Sequence, residues 1–127
     1  MKRAMFSLIL LLSLIGSTPR ANADCYTDRT SDLTAYAFET FTVSSTSLGF
    51  TSSVYNPIAS TTRPRMAVVT LETNSIRIRL DGTDPTASVG HLVTAGQEID
   101  VCGLNTMLTF RMIRVTSDAV VMITYFR

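Results

Sequence analysis

Apolar and polar side chains alternate along short stretches of the chain after residue 33, and turn residues separate these stretches. Alternation over four to eight residues is typical of half-buried β-strands. This part of the chain shows no helical periodicity, so we expect an all-β fold, a single antiparallel β-sandwich or jelly-roll-like domain of about eight short strands. The predicted strands are Thr34 to Val43, Leu48 to Tyr55, Met66 to Thr73, Ser75 to Leu80, His91 to Thr94, Glu98 to Cys102, Leu108 to Val115, and Ala119 to Phe126.

The stretch over residues 75–80 alternates most strictly, with isoleucines directed toward the core and Arg77 and Arg79 directed outward. We expect Asn74 and Ser75 to form a two-residue hairpin loop, because charged residues then face each other on one side and apolar residues meet on the other. A second hairpin is expected between the last two strands. The cross-strand pairs predicted for the first hairpin are Glu72 with Arg77, Leu71 with Ile78, and Val69 with Leu80.

The first 23 residues have the three parts of an export signal. Positive charge near the start is followed by an apolar run from Met5 to Gly16 and by a polar stretch that ends in Ala21-Asn22-Ala23. A membrane-spanning helix needs roughly 20 apolar residues, so the run is too short to be an anchor. We therefore expect residues 1–23 to be a cleavable signal peptide and residues 24–127 to form a β-sandwich domain. The mature protein is expected to be periplasmic or extracellular, with no membrane attachment.

Removal of such a signal changes the charge of the protein. Lys2, Arg3 and Arg20 leave with it, so the 11 basic residues fall to 8 against 10 acidic ones, and the net charge becomes −2 instead of +1. A nucleic-acid-binding surface is normally marked by a strong basic excess. We therefore expect no nucleic-acid partner.

The chain contains two cysteines, Cys25 and Cys102. Disulfides form and persist outside the cytoplasm, so we expect these two residues to pair. Such a bond closes a loop of about 78 residues, worth roughly 4 kcal/mol in the chain-entropy model. A pair of free buried thiols and metal ligation are the alternatives, although two cysteines with one distant histidine make a poor zinc site.

Four arginines, Arg63, Arg65, Arg77 and Arg79, form the candidate binding face. The first two precede the strand that is expected to pair with the strand of the other two. Arginine forks bind carboxylates and phosphates, so this face fits an anionic glycan or an acidic partner surface. The alternative is that these arginines form cross-strand ion pairs and protect an exposed sheet from edge association.

The segment from Asp81 to Gly90 is expected to be a loop, because its Asp-Gly and Asp-Pro steps favour turns. Asp81, Thr83 and Asp84 are its candidate contact residues. Their oxygens are also a weak candidate site for Ca²⁺, although the spacing lacks the alternating acidic pattern of an EF-hand. We predict no bound metal and no cofactor.

No catalytic site is expected. His91 is the only histidine that could act as a base for a Ser, Cys or Thr nucleophile, and a lone histidine at a strand start is more often a surface residue. A carboxylate pair for glycoside cleavage would have to come from four acidic residues. However, Asp81 and Asp84 serve turns, and Glu98 and Asp100 alternate outward on a strand.

Large apolar residues are concentrated in the last two predicted strands. Burial within one domain accounts for them, and the alternative is a subunit contact, because a monomer seldom exposes a large apolar patch. These residues are Phe110, Met112, Ile113, Val120, Met122, Ile123, Tyr125 and Phe126.

The C-terminal half of the domain resembles a known group of proteins. The resemblance is carried by Arg77-x-Arg79-Leu80-Asp81-Gly82-Thr83-Asp84-Pro85-Thr86-Ala87-Ser88-Val89-Gly90, then a glycine-containing turn, Phe110-Arg111-Met112-Ile113-Arg114 and Ile123-Thr124-Tyr125. This order is similar to small uncharacterised tailed-phage proteins that are thought to be minor virion or head-decorating β proteins. The resemblance implies contact between subunits through sheet faces and loops, without catalytic residues. The expected export signal does not fit this resemblance, because phage heads assemble in the cytoplasm.

Together these features predict a non-enzymatic exported structural or interaction domain, similar to phage virion proteins, that acts by subunit or surface contact. Its partner is expected to be another protein or a second copy of the chain. The alternative is an exported ligand-binding module for an anionic glycan or surface partner. A small secreted hydrolase is a third hypothesis.

Overall fold

The computed structural model describes residues 33–56 and 63–127. The expected signal peptide and Cys25 lie outside these residues. The described chain forms seven strands and two short helices, in the order β1 (Ala35–Val43), α1 (Ser52–Tyr55), β2 (Met66–Leu71), β3 (Ser75–Arg79), β4 (His91–Thr94), β5 (Glu98–Cys102), α2 (Leu104–Thr109), β6 (Arg111–Arg114) and β7 (Ala119–Phe126).

The strands form two antiparallel sheets that pack face to face. The four-stranded sheet has the order β1-β7-β2-β5, and the three-stranded sheet has the order β4-β3-β6. Alternate residues of each strand therefore face the other sheet. The expected fold class, an all-β sandwich, is confirmed.

The strands pair in the order of a jelly roll. Leu48 forms an isolated antiparallel bridge with Met112 of β6, so the segment around Leu48 takes the place of an eighth strand. If this segment is counted as the second of eight strands, β2 becomes the third strand and β7 the eighth. The first strand then pairs with the eighth, the second with the seventh, the third with the sixth and the fourth with the fifth. Such nested pairing arises when one long hairpin folds over into two sheets, which is the jelly-roll arrangement.

The inward-facing side chains of both sheets form one continuous core. Each short helix adds one buried side chain to it, Tyr55 from α1 and Met107 from α2. Because these side chains come from both layers and from the connections between them, the core fixes the two sheets against each other. The largest fully buried side chains are Tyr125, Phe110, Leu71, Ile76, Met107, Met112 and Ile123.

The predicted strand from Leu48 to Tyr55 is wrong except for the single bridge at Leu48. After this bridge the chain leaves the sheet: Phe50 stacks on Phe110 with ring centroids 4.3 Å apart, and the next residues form α1. Gly49 passes so close to the neighbouring segment that an added Cβ would lie 2.8 Å from the carbonyl oxygen of Phe110. Short apolar runs do not distinguish strand from helix, and here the burial of aromatic rings outweighs strand pairing.

The predicted hairpin at Asn74 and Ser75 is also wrong. Asn74 adopts a left-handed turn conformation, with φ of 59°, but the strands on either side of it belong to different sheets. β2 pairs with β5 and β7, whereas β3 pairs with β4 and β6, so none of the three predicted cross-strand pairs forms. The expected hairpin between the last two strands fails in the same way, because β6 and β7 lie in opposite sheets. Turn residues and alternation are the same whether a turn stays in one sheet or crosses to the other.

Helix α2 replaces the start of the strand predicted from Leu108 to Val115. The helix begins after Gly103, which has a φ of 81°, and β6 follows directly as a strand of four residues. Met107 is the buried residue of the helix. A six-residue helix with one buried position leaves too short a pattern to show helical periodicity in the sequence.

Candidate functional site

The outer face of the three-stranded sheet carries three arginines, Arg77, Arg79 and Arg111, and we call it the arginine face. Ile76 and Ile78 of β3 are buried in the core, so the alternating residues Arg77 and Arg79 are directed outward. In the register between β3 and β6, Arg79 is paired with Arg111. Two guanidinium groups therefore start from neighbouring positions on one face.

Two of the three arginines are paired with carboxylates of the loop that follows β3. Arg79 donates two hydrogen bonds to Asp81, from Nε to Oδ1 at 3.0 Å and from Nη2 to Oδ2 at 2.5 Å. Hydrogen bonding to Arg79 holds the pKa of Asp81 well below its usual range, and the same contact raises the pKa of Arg79. Arg111 Nε lies 3.8 Å from Asp84 Oδ1. The predicted loop residues therefore offset most of the positive charge on this face.

Thr83 completes the turn around Asp81. Its backbone N–H donates to Asp81 Oδ1 at 3.2 Å, and its hydroxyl lies 3.4 Å from Oδ2. Both oxygens of Asp81 are thus engaged by Arg79 and Thr83, and a cation at this carboxylate would compete with both partners. Within residues 33–56 and 63–127, no group of three or more His, Cys, Asp and Glu side chains could hold a metal ion.

Arg77 differs from the other two arginines. Its Nη1 donates to the carbonyl oxygen of Gly90 at 3.0 Å, whereas its Nε is buried without a hydrogen-bond partner. No ion pair joins it to a carboxylate in the described part of the chain. Among the carboxylates that the structure describes, Asp81 and Asp84 offset Arg79 and Arg111, and none offsets Arg77.

The loop from Asp81 to Gly90 is held against the sheet by a close approach at Gly90. This glycine has a φ of 128°, and a Cβ added to it would lie 2.9 Å from the carbonyl oxygen of Ile78 and 3.3 Å from the Cβ of Arg77. Only glycine fits both the backbone angle and the space. Pro85 of the same loop is buried. The loop and the arginines thus form one surface.

Exposed apolar side chains adjoin the arginine face. Leu80, Val89 and Leu92 have 45%, 52% and 51% of their surfaces exposed. Leu92 is paired with Arg77 in the register between β3 and β4, and so lies beside it on the sheet. An open cleft of about 560 Å³ lies at the end of this surface and is lined by Arg79, Leu80, Asp81, Gly90 and His91.

Arg63 and Arg65 are not part of the arginine face. Arg65 lies directly before β2, where its backbone N–H donates to the carbonyl oxygen of Phe126 at 2.8 Å. β2 belongs to the four-stranded sheet, so the two arginines that precede it are in the other layer from Arg77 and Arg79. The expected grouping of four depended on the hairpin that does not form.

The sequence analysis did not identify Arg111, Gly90 and Leu92 as parts of this surface. Leu92 and Arg111 come from strands on either side of β3, so only the strand register brings them together. Gly90 carried a local signal, a glycine at the end of a loop, but its approach to Arg77 depends on the position of the whole loop.

The residues considered for catalysis are spread over both layers. His91 is exposed at the start of β4 and lines the cleft. Glu98 and Asp100 are exposed on β5, in the four-stranded sheet, whereas Asp81 and Asp84 follow β3 of the three-stranded sheet. The four acidic residues considered for glycoside cleavage are therefore divided between the two sheets.

A second polar cluster, which the sequence analysis missed, joins Glu39 to the aromatic core. The hydroxyl of Tyr125 donates to Glu39, the backbone N–H of Thr51 donates to the same carboxylate at 3.2 Å, and the hydroxyl of Tyr36 donates to the carbonyl oxygen of Tyr55. Burial, followed by the hydrogen bond to Glu39, raises the pKa of Tyr125. These groups satisfy one another, so we assign the cluster to stability.

Cys102 is directed outward at the end of β5. Its sulfur is disulfide-bonded, and there is no free cysteine in the described part of the chain. Cys25 lies outside the described residues, so the pairing of Cys25 with Cys102 stays a prediction.

No protein-family model, curated protein or solved structure matches this chain. In the part of the chain that the structure describes, no helix is both long and apolar enough to cross a membrane.

Proposed function

We propose that this protein is an exported, non-enzymatic interaction domain that contacts copies of itself through the arginine face and the exposed apolar residues beside it. The observation that carries this proposal is the setting of Arg77. No carboxylate of the described residues forms an ion pair with it, and the exposed side chain of Leu92 lies beside it on the sheet. Interface hot spots are enriched in arginine and in well-packed apolar contacts around it.

The charge on this face favours a protein partner over an anionic glycan. Asp81 and Asp84 are paired with Arg79 and Arg111, which leaves Arg77 as the one cation of the three without a carboxylate partner among residues 33–56 and 63–127. The domain after the expected signal has a net charge of −2, from 8 basic and 10 acidic residues. A polyanion is held by clustered positive charge, whereas a protein surface can supply a single acceptor and apolar contacts.

The jelly-roll pairing supports a role in assembly, because viral capsid domains use this arrangement, as lectins and cupins also do. The similarity of residues 77–90 and of the last strands to tailed-phage virion proteins points the same way. One fold can serve many functions, so the proposal depends mainly on the arginine face and the apolar residues beside it.

Sedimentation velocity of the exported protein over a wide concentration range tests the proposal. We expect reversible self-association that Leu92→Ser and Arg77→Gln each weaken by about 2 kcal/mol or more, which is about 30-fold in dissociation constant. Met122→Ser is the matched control, because Met122 is an exposed apolar residue of the other sheet. A protein that stays monomeric at every concentration, or one that Met122→Ser weakens as much as Leu92→Ser, would contradict the proposal.

A further inference from the structure

The three-stranded sheet has one covered edge, at β6, and a second edge at β4. Along β6, the backbone of Met112 exchanges hydrogen bonds with Leu48 at 2.8 and 3.0 Å, and the N–H of Arg114 donates to the carbonyl oxygen of Ser44 at 3.1 Å. Beyond β4, the described residues add no further strand to this sheet. An edge strand presents backbone groups to which a strand of another chain can bind. The β4 edge is therefore the place where this sheet could be extended.

The strand registers show which residues of β4 direct their backbone groups to this edge. Ser75 of β3 accepts the N–H of Val115 at 3.0 Å, so its backbone groups face β6, and those of Arg77, two residues on, do the same. In the register between β3 and β4, Thr94 is the partner of Ser75, and Leu92 is the partner of Arg77. Because antiparallel pairs alternate, these two partners direct their own N–H and C=O groups away from β3. Leu92 and Thr94 therefore form the backbone edge of β4.

Both outward backbone groups of Thr94 are engaged by Gln97. The backbone N–H of Thr94 donates to Gln97 Oε1 at 2.7 Å, and the hydroxyl of Thr94 donates to the same oxygen at 3.0 Å. In return, the backbone N–H of Gln97 donates to the carbonyl oxygen of Thr94 at 3.1 Å. An incoming strand would have to displace Gln97 in order to bind at Thr94.

The backbone of Gln97 is held in place by the other sheet. Residues 95–97 lead from β4 to β5, and Leu71 of β2 fixes this turn through two backbone hydrogen bonds. It accepts the N–H of Gly96 at 2.7 Å and donates to the carbonyl oxygen of Gln97 at 3.0 Å. Gln97 itself is exposed, and ordering a glutamine side chain costs rotamer entropy. The two hydrogen bonds that its Oε1 accepts from Thr94 offset this cost.

We propose that Gln97 closes the β4 edge to strand addition by a second copy of the chain. The strand that this edge would otherwise accept is β4 of that copy, because two identical edges can pair antiparallel about a twofold axis. With Thr94 engaged, only Leu92 of the two outward residues is left for such pairing. A very short edge is one way in which proteins avoid edge-to-edge association. The inference concerns the edge of the sheet and not its outer face, so it does not rest on the proposed function.

Gln97→Met tests the role of Gln97, because methionine is similar in length and lacks the amide oxygen. In the purified variant we expect the Thr94 amide to exchange with deuterium about tenfold faster, as measured by NMR. In sedimentation velocity the variant should self-associate at concentrations about tenfold or more below those of the wild type. Gln97→Glu keeps an acceptor oxygen and should retain slow exchange at Thr94. Ala95→Met places the same side chain at an exposed position of the same turn and should change neither measurement.

A second substitution separates strand addition from other kinds of association. Thr94→Pro removes the donor that Gln97→Met uncovers, and proline is tolerated on an edge strand where the N–H faces outward. Added to Gln97→Met, it should return self-association to the wild-type level, whereas a contact through the arginine face does not need this donor. If circular dichroism shows that the double variant is unfolded, the comparison of Gln97→Met with Ala95→Met decides the question. Unchanged exchange at Thr94 in Gln97→Met would overturn the proposal. So would association no stronger than that of Ala95→Met, or association that persists in a folded double variant.

Discussion

The hydroxyl of Tyr125 on β7 donates a hydrogen bond to the carboxylate of Glu39 on the neighbouring strand β1. The same carboxylate accepts the backbone N–H of Thr51, which precedes α1. The ring of Tyr125 is fully buried and packs edge-on against Phe50, with centroids 5.6 Å apart. Glu39 therefore connects three parts of the domain: the edge strand β1, the buried ring of Tyr125, and the segment between Leu48 and α1.

Tyr125→Phe removes this hydrogen bond and keeps the ring. We expect the free energy of unfolding to fall by about 1–3 kcal/mol, because a half-buried carboxylate loses a donor. Urea denaturation measures the change. The matched control is Tyr36→Phe, which removes a hydrogen bond to the neutral carbonyl of Tyr55 and should cost about 1 kcal/mol. Equal stability of Tyr125→Phe and the wild type would contradict the assignment of this cluster to stability.

The tyrosines also predict how stability depends on alkaline pH. Burial raises the pKa values of Tyr36, Tyr55 and Tyr125 above 10.0. Stability that depends on their neutral form is fully present below an unfolded pKa of about 10 and is lost as the pH rises toward the folded values. Lys2 is the only lysine in the sequence, so few other side chains titrate in this range.

We therefore expect the free energy of unfolding to fall above pH 10 and to fall less steeply in Tyr125→Phe. Denaturant titrations at a series of pH values measure both slopes. Wild-type and variant profiles with the same slope above pH 10 would show that Tyr125 ionises as freely in the folded protein as in the unfolded chain.

Gly90→Ala tests whether the loop is fixed against the sheet. The new Cβ would meet the carbonyl oxygen of Ile78 at 2.9 Å, on a residue with a φ of 128°. We expect a loss of about 1–3 kcal/mol of stability. Gly96→Ala is the matched control, because Gly96 has a φ of 84° but nothing within 4 Å of the added Cβ. A loss at Gly90 no larger than that at Gly96 would mean that the loop moves aside.

The charge balance of the arginine face can be tested by removing its acidic residues. We expect the purified wild-type protein to pass through a heparin column at physiological salt, because Asp81 and Asp84 offset two of the arginines. The double variant Asp81→Asn with Asp84→Asn should be retained, and its retention should weaken as salt rises. Glu98→Gln with Asp100→Gln changes the charge equally on the other sheet and is the control. Retention of the wild type would favour the anionic-glycan alternative.

Strand positions could be predicted from the sequence because the alternation of side chains is a local property. The predicted bounds of β4, β5 and β7 are those of the structure. Strand partners could not be predicted in this way. The turn at Asn74 is followed by a strand of the other sheet, and nothing in four or five local residues distinguishes this course from a hairpin.

The candidate site likewise contains contacts that could be predicted from the sequence and contacts that could not. Arg79, Asp81 and Thr83 are close in sequence, and the structure brings them together through short-range hydrogen bonds. Arg111 joins them only through the register of β6 with β3, and Arg65 is excluded because β2 lies in the other sheet. Contacts within the loop could be predicted from the order of the residues. Contacts between strands could be identified only once the pairing of the strands was known.

Hydrogen–deuterium exchange of the purified protein at low and high concentration tests the contact role of the arginine face most directly. If copies meet through this face, amides in residues 77–93 exchange more slowly at high concentration, and Leu92→Ser removes the difference. Amides of β1 and β5, the edges of the other sheet, should exchange at the same rate at both concentrations. Concentration-dependent protection that appears only at β1 or β5, or nowhere in the domain, would contradict the proposed function.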